Sequence, residues 1–168
     1  MRHYRKILIY GYGNPGRQDD GLGPAVVAAM ETRADEFPHV EYDCNYQLNI
    51  EDAMNIREYD AVIFADASLD CNEPFEFYRL EPAKKITFTT HAMSAESVLA
   101  LGVDMYGDIP ECYMLAIHGY EWEMGYEELS ARAVRNLDRA MDFLVKLLTD
   151  DSPNAFADAV EASKAIKI

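Results

Sequence analysis

The strongest constraint on this chain is an alternation. Short apolar, β-prone runs take turns with stretches whose apolar residues recur at helical spacing. Residues 6–10 form an apolar run that stops at Gly11, the pattern of a buried first strand. From Leu22 the apolar positions are Leu22, Ala25, Val26, Ala29 and Met30, three and four apart, with Pro24 tolerated in a first helical turn. Val40, Tyr42, Cys44 and Tyr46 alternate with polar residues, which predicts a half-buried strand, and a short helix follows Asn49. Ala61 to Ala65 is continuously apolar and ends at Asp66, the pattern of a strand covered on both faces. Residues 75–80 read as another strand, joined through 84–90 to a helix starting near Ser94, and 112–117 as a further buried strand. The clearest helix carries Ala133, Val134, Leu137, Met141, Leu144, Val145 and Leu148 as one apolar stripe. Ser152 and Pro153 end it and are placed to cap a short tail helix.

Such alternation predicts an α/β three-layer sandwich: a central, mainly parallel, five-stranded twisted sheet with helices on both faces. A length of 168 residues fits one domain, read as 1–150 with a C-terminal tail over 151–168. The longest apolar runs fall far short of the ~18 residues a membrane span needs. The basic start, Met1 to Lys6, lacks the apolar core of a secretory signal, so a cytoplasmic protein is expected. A formal charge of −15 repels phosphate backbones and argues against nucleic-acid partners. Cys44, Cys71 and Cys112 are odd in number and widely spaced, so they are expected to be buried reduced thiols, not a disulfide framework or a zinc site.

In sheets of this kind ligands gather at the carboxyl ends of the strands, so polar residues just past those ends carry functional weight. Three places qualify. The loop Gly11 to Gly23 is glycine-rich and feeds a helix, but it fails as a dinucleotide cradle. Pro15 follows its second glycine, and Asp19 and Asp20 stand where phosphate would approach. One of these aspartates either caps the helix or acts as a ligand. Asp66, at the end of an apolar strand, is half desolvated and needs a partner: a charge, a metal or backbone donors. His91, in Thr90-His91-Ala92-Met93-Ser94, lies just before a helix that Ser94 can cap. His118 also follows a strand and is the weaker candidate; His3 and His39 read as surface residues. Two carboxylates and an imidazole make an oxygen, oxygen, nitrogen set. That set suits a borderline divalent cation such as zinc, nickel or manganese, or an acid–base arrangement in which a carboxylate activates water.

Gly11-x-Gly13-Asn14, Asp19-Asp20-Gly21-x-Gly23, the apolar strand ending in Asp66-Ala67, and Thr90-His91-x-x-Ser94 occur in that order. Together they resemble the hydrogenase maturation endopeptidases, over about residues 7–148. The segment Gly119 to Gly125 with Glu128 to Ser130 is similar to a stretch seen in part of that family. The resemblance implies an aspartic-type or metal-assisted peptidase that removes the C-terminal peptide of a nickel–iron hydrogenase large-subunit precursor. It matches the family's metal-meeting residues to Asp20, Asp66 and His91, with nickel carried in by the precursor or another divalent cation such as zinc. Asn14, Asp19 and Glu121 are expected to touch the substrate, and a monomer is expected. The opening Gly11-x-Gly13-Asn14-Pro15-Gly16 is also similar to peptidyl-tRNA hydrolases, which share a related architecture. Arg17-Gln18-Asp19-Asp20 lacks the histidine those enzymes carry there. A third reading is a non-catalytic factor that only recognises a metal centre.

Overall fold

The structure, a computed structural model, describes residues 4–86 and 93–166. Five strands form one sheet in the order β2-β1-β3-β5-β4: β1 (Ile7–Tyr12), β2 (Val40–Asn45), β3 (Ala61–Ser68), β4 (Phe75–Arg79) and β5 (Glu111–His118). β2, β1, β3 and β5 are parallel, and β4 runs antiparallel to β5. The short link from β3 to β4, residues 69–74, leaves no room for a helical crossover, so the chain must turn back. The α/β sandwich with a mainly parallel five-stranded sheet is therefore the observed architecture.

Helices α1 (Leu22–Glu31), α4 (Ala131–Thr149) and α5 (Ala155–Ser163) pack on one face, and α2 (Asp52–Asn55) and α3 (Ala95–Tyr106) on the other. The alternation of strand side chains divides the core accordingly. Ile7, Ile9, Ile63, Leu115 and Ile117 meet Leu22, Val26, Met30 and Leu144, whereas Leu8, Tyr10, Val62, Phe64 and Met114 meet Val98 and Leu99. Each fully buried side chain of this size contributes on the order of 2 kcal/mol.

β1 continues two residues past its expected end, because Gly11 and Tyr12 keep pairing with Cys44 and Asn45 of β2 and Gly11 with Ala65 of β3. Gly11 allows α1 to lie almost on the strand: a Cβ there would stand 2.1 Å from the carbonyl oxygen of Gly23. Ser94 caps α3, its hydroxyl accepting from the Ser97 N–H at 3.1 Å, as expected from the sequence.

Five expectations need correction. Cys44 is exposed, because β2 is an edge strand and its burial fades after Tyr42. For the same reason the half-buried pattern stops short of Tyr46, which is 71% exposed. His39 is half-buried rather than superficial, since it precedes the buried start of β2. On α4 the buried line is Ala133, Asn136, Ala140, Leu144, Leu147 and Leu148, and Val134 faces outward. Asn136 joins this line because its Nδ2 donates to the His118 carbonyl at 3.1 Å and the Tyr120 hydroxyl at 2.7 Å. The tail helix starts after Asn154, not at Ser152, and it belongs to the core: Ala155 and Phe156 are buried and Ser163 Oγ donates to Phe77 O at 2.9 Å. Among the described residues no helix is long and apolar enough to cross a membrane.

Candidate active site

From β1 the chain moves by way of α1 to β2 on one side, then crosses to β3 on the other. The carboxyl ends of β1 and β3 thus border a crevice at the point where strand order reverses, the usual ligand position in open α/β sheets. Asp20 follows β1, and Asp66 lies near the carboxyl end of β3, two residues before it stops at Ser68. Both line one open cleft of about 770 Å³, together with Tyr12, Asn14, Arg17, Tyr46, Trp122 and Met124.

The loop after β1 is folded by its own polar groups. Gly13 adopts φ +138°, and a Cβ there would stand 2.0 Å from the carbonyl oxygen of Asp20, so only glycine lets the loop close. The Asn14 N–H donates to Asp20 Oδ2 at 2.8 Å, and Asn14 Oδ1 accepts from the Gly16 N–H at 2.9 Å. One short 3-10 turn over Gln18–Gly21 then hands the chain to α1. Neither aspartate caps α1 with its side chain.

The two aspartates diverge in role. Asp19 is fully buried, with 0% of its surface exposed. Its Oδ2 accepts from the Tyr120 N–H (2.8 Å), the Glu121 N–H (3.0 Å) and the Ser130 hydroxyl (2.7 Å), while Oδ1 accepts from the Ser130 N–H (2.8 Å). Burial pushes this carboxyl up, but the donors from Ser130, Tyr120 and Glu121 outweigh it and hold the group below its ordinary value. Expected to meet substrate, Asp19 is instead the anchor that ties the segment 119–130 to the first loop. Ser130 completes the tie, since its hydroxyl also accepts from the Ala133 N–H and caps α4. Backbone bonds reinforce it: Gln18 N–H to Tyr126 O (2.8 Å), Asp19 N–H to Glu121 O (2.9 Å) and Gly125 N–H to Gly16 O (2.9 Å).

Asp20, by contrast, is half-buried and faces the cleft. Burial at the end of an apolar strand pushes the Asp66 carboxyl up to about 7. The negative charge of Asp20 adds to this, while the Tyr12 hydroxyl and the Ala67 N–H oppose it. Tyr12 is itself pushed well above the ordinary tyrosine range by burial and by Asp66. Asn14 lines the same cleft. Glu121 is exposed, does not line it, and accepts from Gln18 Nε2 at 3.4 Å.

His91 lies outside the described residues. His118 ends β5 beside Ser68 of β3, with its Nδ1 2.7 Å from Cys71 O. Among the described residues no group of three or more His, Cys, Asp or Glu side chains could hold a metal ion. Tyr12, Arg17, Tyr46 and Met124 were not singled out from the sequence. Only Tyr12 carried a local sign, as the residue between the two glycines that open the loop.

No protein-family model matches the chain, and no curated protein matches it by sequence. Solved structures do resemble it. The [NiFe] hydrogenase maturation protease HycI from Thermococcus kodakarensis KOD1 superposes with a TM-score of 0.65 at 22% identity, covering 88% of this chain and 94% of that one. The hydrogenase maturating endopeptidase HybD from E. coli gives a TM-score of 0.65 at 19% identity, covering 86% and 92%. A hydrogenase 2 maturation peptidase from Thaumarchaeota archaeon SCGC_AB-539-E09 gives 0.60 at 21%, covering 85% and 97%. The chain thus has, over most of its length, the fold of the solved hydrogenase maturation proteases.

Proposed function

We propose that this chain is an endopeptidase that removes the C-terminal peptide from a nickel-loaded nickel–iron hydrogenase large-subunit precursor. The observation that carries this reading is the meeting of Asp20 and Asp66 in one open cleft at the switch point of a fold shared with maturation proteases. His91 joins them on the strength of its motif, Thr90-His91-x-x-Ser94. Two carboxylate oxygens and an imidazole nitrogen suit a borderline divalent ion such as nickel. In this reading the ion is part of the substrate, and its coordination brings the precursor's C-terminal segment into the cleft. Hydrolysis consumes one water: its oxygen becomes part of the new C-terminal carboxylate, and a cleft carboxylate carries its proton to the leaving amine. The protein acts as a cytoplasmic monomer in a transient complex with the precursor.

The test compares the wild type with Asp20→Asn, Asp66→Asn and His91→Ala on the nickel-loaded precursor. Each variant is expected to lose at least about a hundredfold in processing rate while keeping its circular dichroism spectrum. Full processing by any of them removes that residue from the site. Binding of precursor by the wild type without cleavage replaces the peptidase reading with a metal-recognising factor.

A further inference from the structure

The two most exposed large hydrophobic side chains among the described residues are Tyr46, at 71%, and Met124, at 65%. A single exposed apolar residue needs no explanation. These two, however, line the same cleft as Asp20 and Asp66. They come from segments 78 positions apart in sequence, so no local pattern accounts for their meeting.

Each stands on backbone that is tied in place. Tyr46 follows β2, and the end of that strand is pinned beside the first loop by the Gly13 N–H, which donates to Asn45 O at 3.1 Å. Met124 sits in the segment anchored by Asp19. There Arg17 Nε donates to Trp122 O at 2.9 Å, the Glu123 N–H donates to Gln18 Oε1 at 2.9 Å, and Asn14 Nδ2 lies 3.8 Å from the Met124 sulfur. Apolar groups held ready in this way bind a partner with little further ordering cost, and a methionine adapts to varied side chains. Trp122, the chain's single tryptophan, lines the same cleft. Its indole N–H is shielded from solvent and meets no acceptor among the described residues.

We propose that Tyr46 and Met124 are opposing jaws of a docking surface for an extended, apolar, non-acidic polypeptide segment, which the jaws hold across the carboxylates. The identity of that segment, the C-terminal arm of the precursor, rests on the endopeptidase reading above. Charge selects this occupant. The chain carries −15, and two carboxylates lie in the cleft, so acidic peptides, anionic lipid surfaces and nucleic acid are all disfavoured. Arg17 is the cleft's one cationic lining residue among those described, and among the described residues it forms no ion pair.

The test labels the full chain with 5-fluorotryptophan, so that Trp122 gives one fluorine resonance and unlabelled nickel-loaded precursor is silent. Adding precursor is expected to shift or broaden that resonance. Tyr46→Ser and Met124→Ser, both at exposed positions, are each expected to raise KM roughly tenfold with kcat within twofold, the signature of lost uniform binding. Unchanged KM in both variants, or a resonance that ignores the precursor, overturns the docking surface. A shift that depends on protein concentration without precursor overturns it in favour of a second copy of the chain. A precursor-dependent shift that is weakened in both variants, with no cleavage by the wild type, upholds the surface and sinks only the peptidase reading.

Discussion

Replacing Asp19 by alanine removes the acceptor from four donors at once: the N–H groups of Tyr120, Glu121 and Ser130, and the Ser130 hydroxyl. The hydroxyl can turn to another acceptor, but the three backbone donors cannot. At about 1 kcal/mol or somewhat more for each orphaned donor, Asp19→Ala is expected to cost about 3–4 kcal/mol. Asp19→Asn keeps an oxygen at the Oδ2 position and so retains three of the four bonds. Its amide then faces the Ser130 N–H, and the cost falls to about 1–2 kcal/mol. The sign with pH follows from the depressed carboxyl. Stability from Asp19 is complete above the ordinary aspartate range and drains away as pH falls through the folded-state value, so the gap between wild type and Asp19→Asn narrows in acid. Urea denaturation followed by far-ultraviolet circular dichroism gives the global cost, and Trp122 fluorescence follows the tethered segment. Asp19→Ala within about 0.5 kcal/mol of wild type, with unchanged tryptophan emission, refutes the anchor.

Other consequences are equally direct. Gly11→Ala places a methyl 2.1 Å from the Gly23 carbonyl oxygen, so it is expected to cost about 3 kcal/mol or more and to lower the melting temperature sharply; a wild-type melt contradicts the close packing of α1 on β1. Ser130→Ala loses both the α4 cap and a donor to Asp19, at an expected cost of about 1–2 kcal/mol in the same denaturation assay. Asp66 titrates near 7, above the ordinary range, so its ionisation costs stability as pH rises from about 4 to about 7 and adds no further cost above that. Asp66→Asn is therefore expected to gain on the wild type in melting temperature between pH 5 and pH 8, and an unchanged difference removes the claim that this carboxyl is desolvated.

The alternation of apolar runs and helical stripes made the layers legible, since each strand's burial is written into consecutive residues. Asp66 was legible for the same reason, as the one charge closing a continuous apolar run. What lay hidden depends on contacts distant in sequence. Asp19 and its neighbour Asp20 look alike along the chain, yet Asp19 is buried against Ser130, 111 positions away, while Asp20 faces the cleft. Similarly, Tyr46 looks like the next inward residue of β2 until the edge position of that strand leaves it uncovered. The short tail helix buries only Ala155, Phe156 and Ser163. That is nevertheless enough to seat it on β4.

The most direct test of the central claim is the intact mass of a nickel–iron hydrogenase large-subunit precursor after incubation with the purified protein, run side by side on nickel-loaded and nickel-free material. A cleft built on Asp20 and Asp66 to meet a metal carried by its substrate predicts loss of one C-terminal peptide in the loaded sample alone. An unchanged mass in both samples, or equal trimming of both, contradicts it.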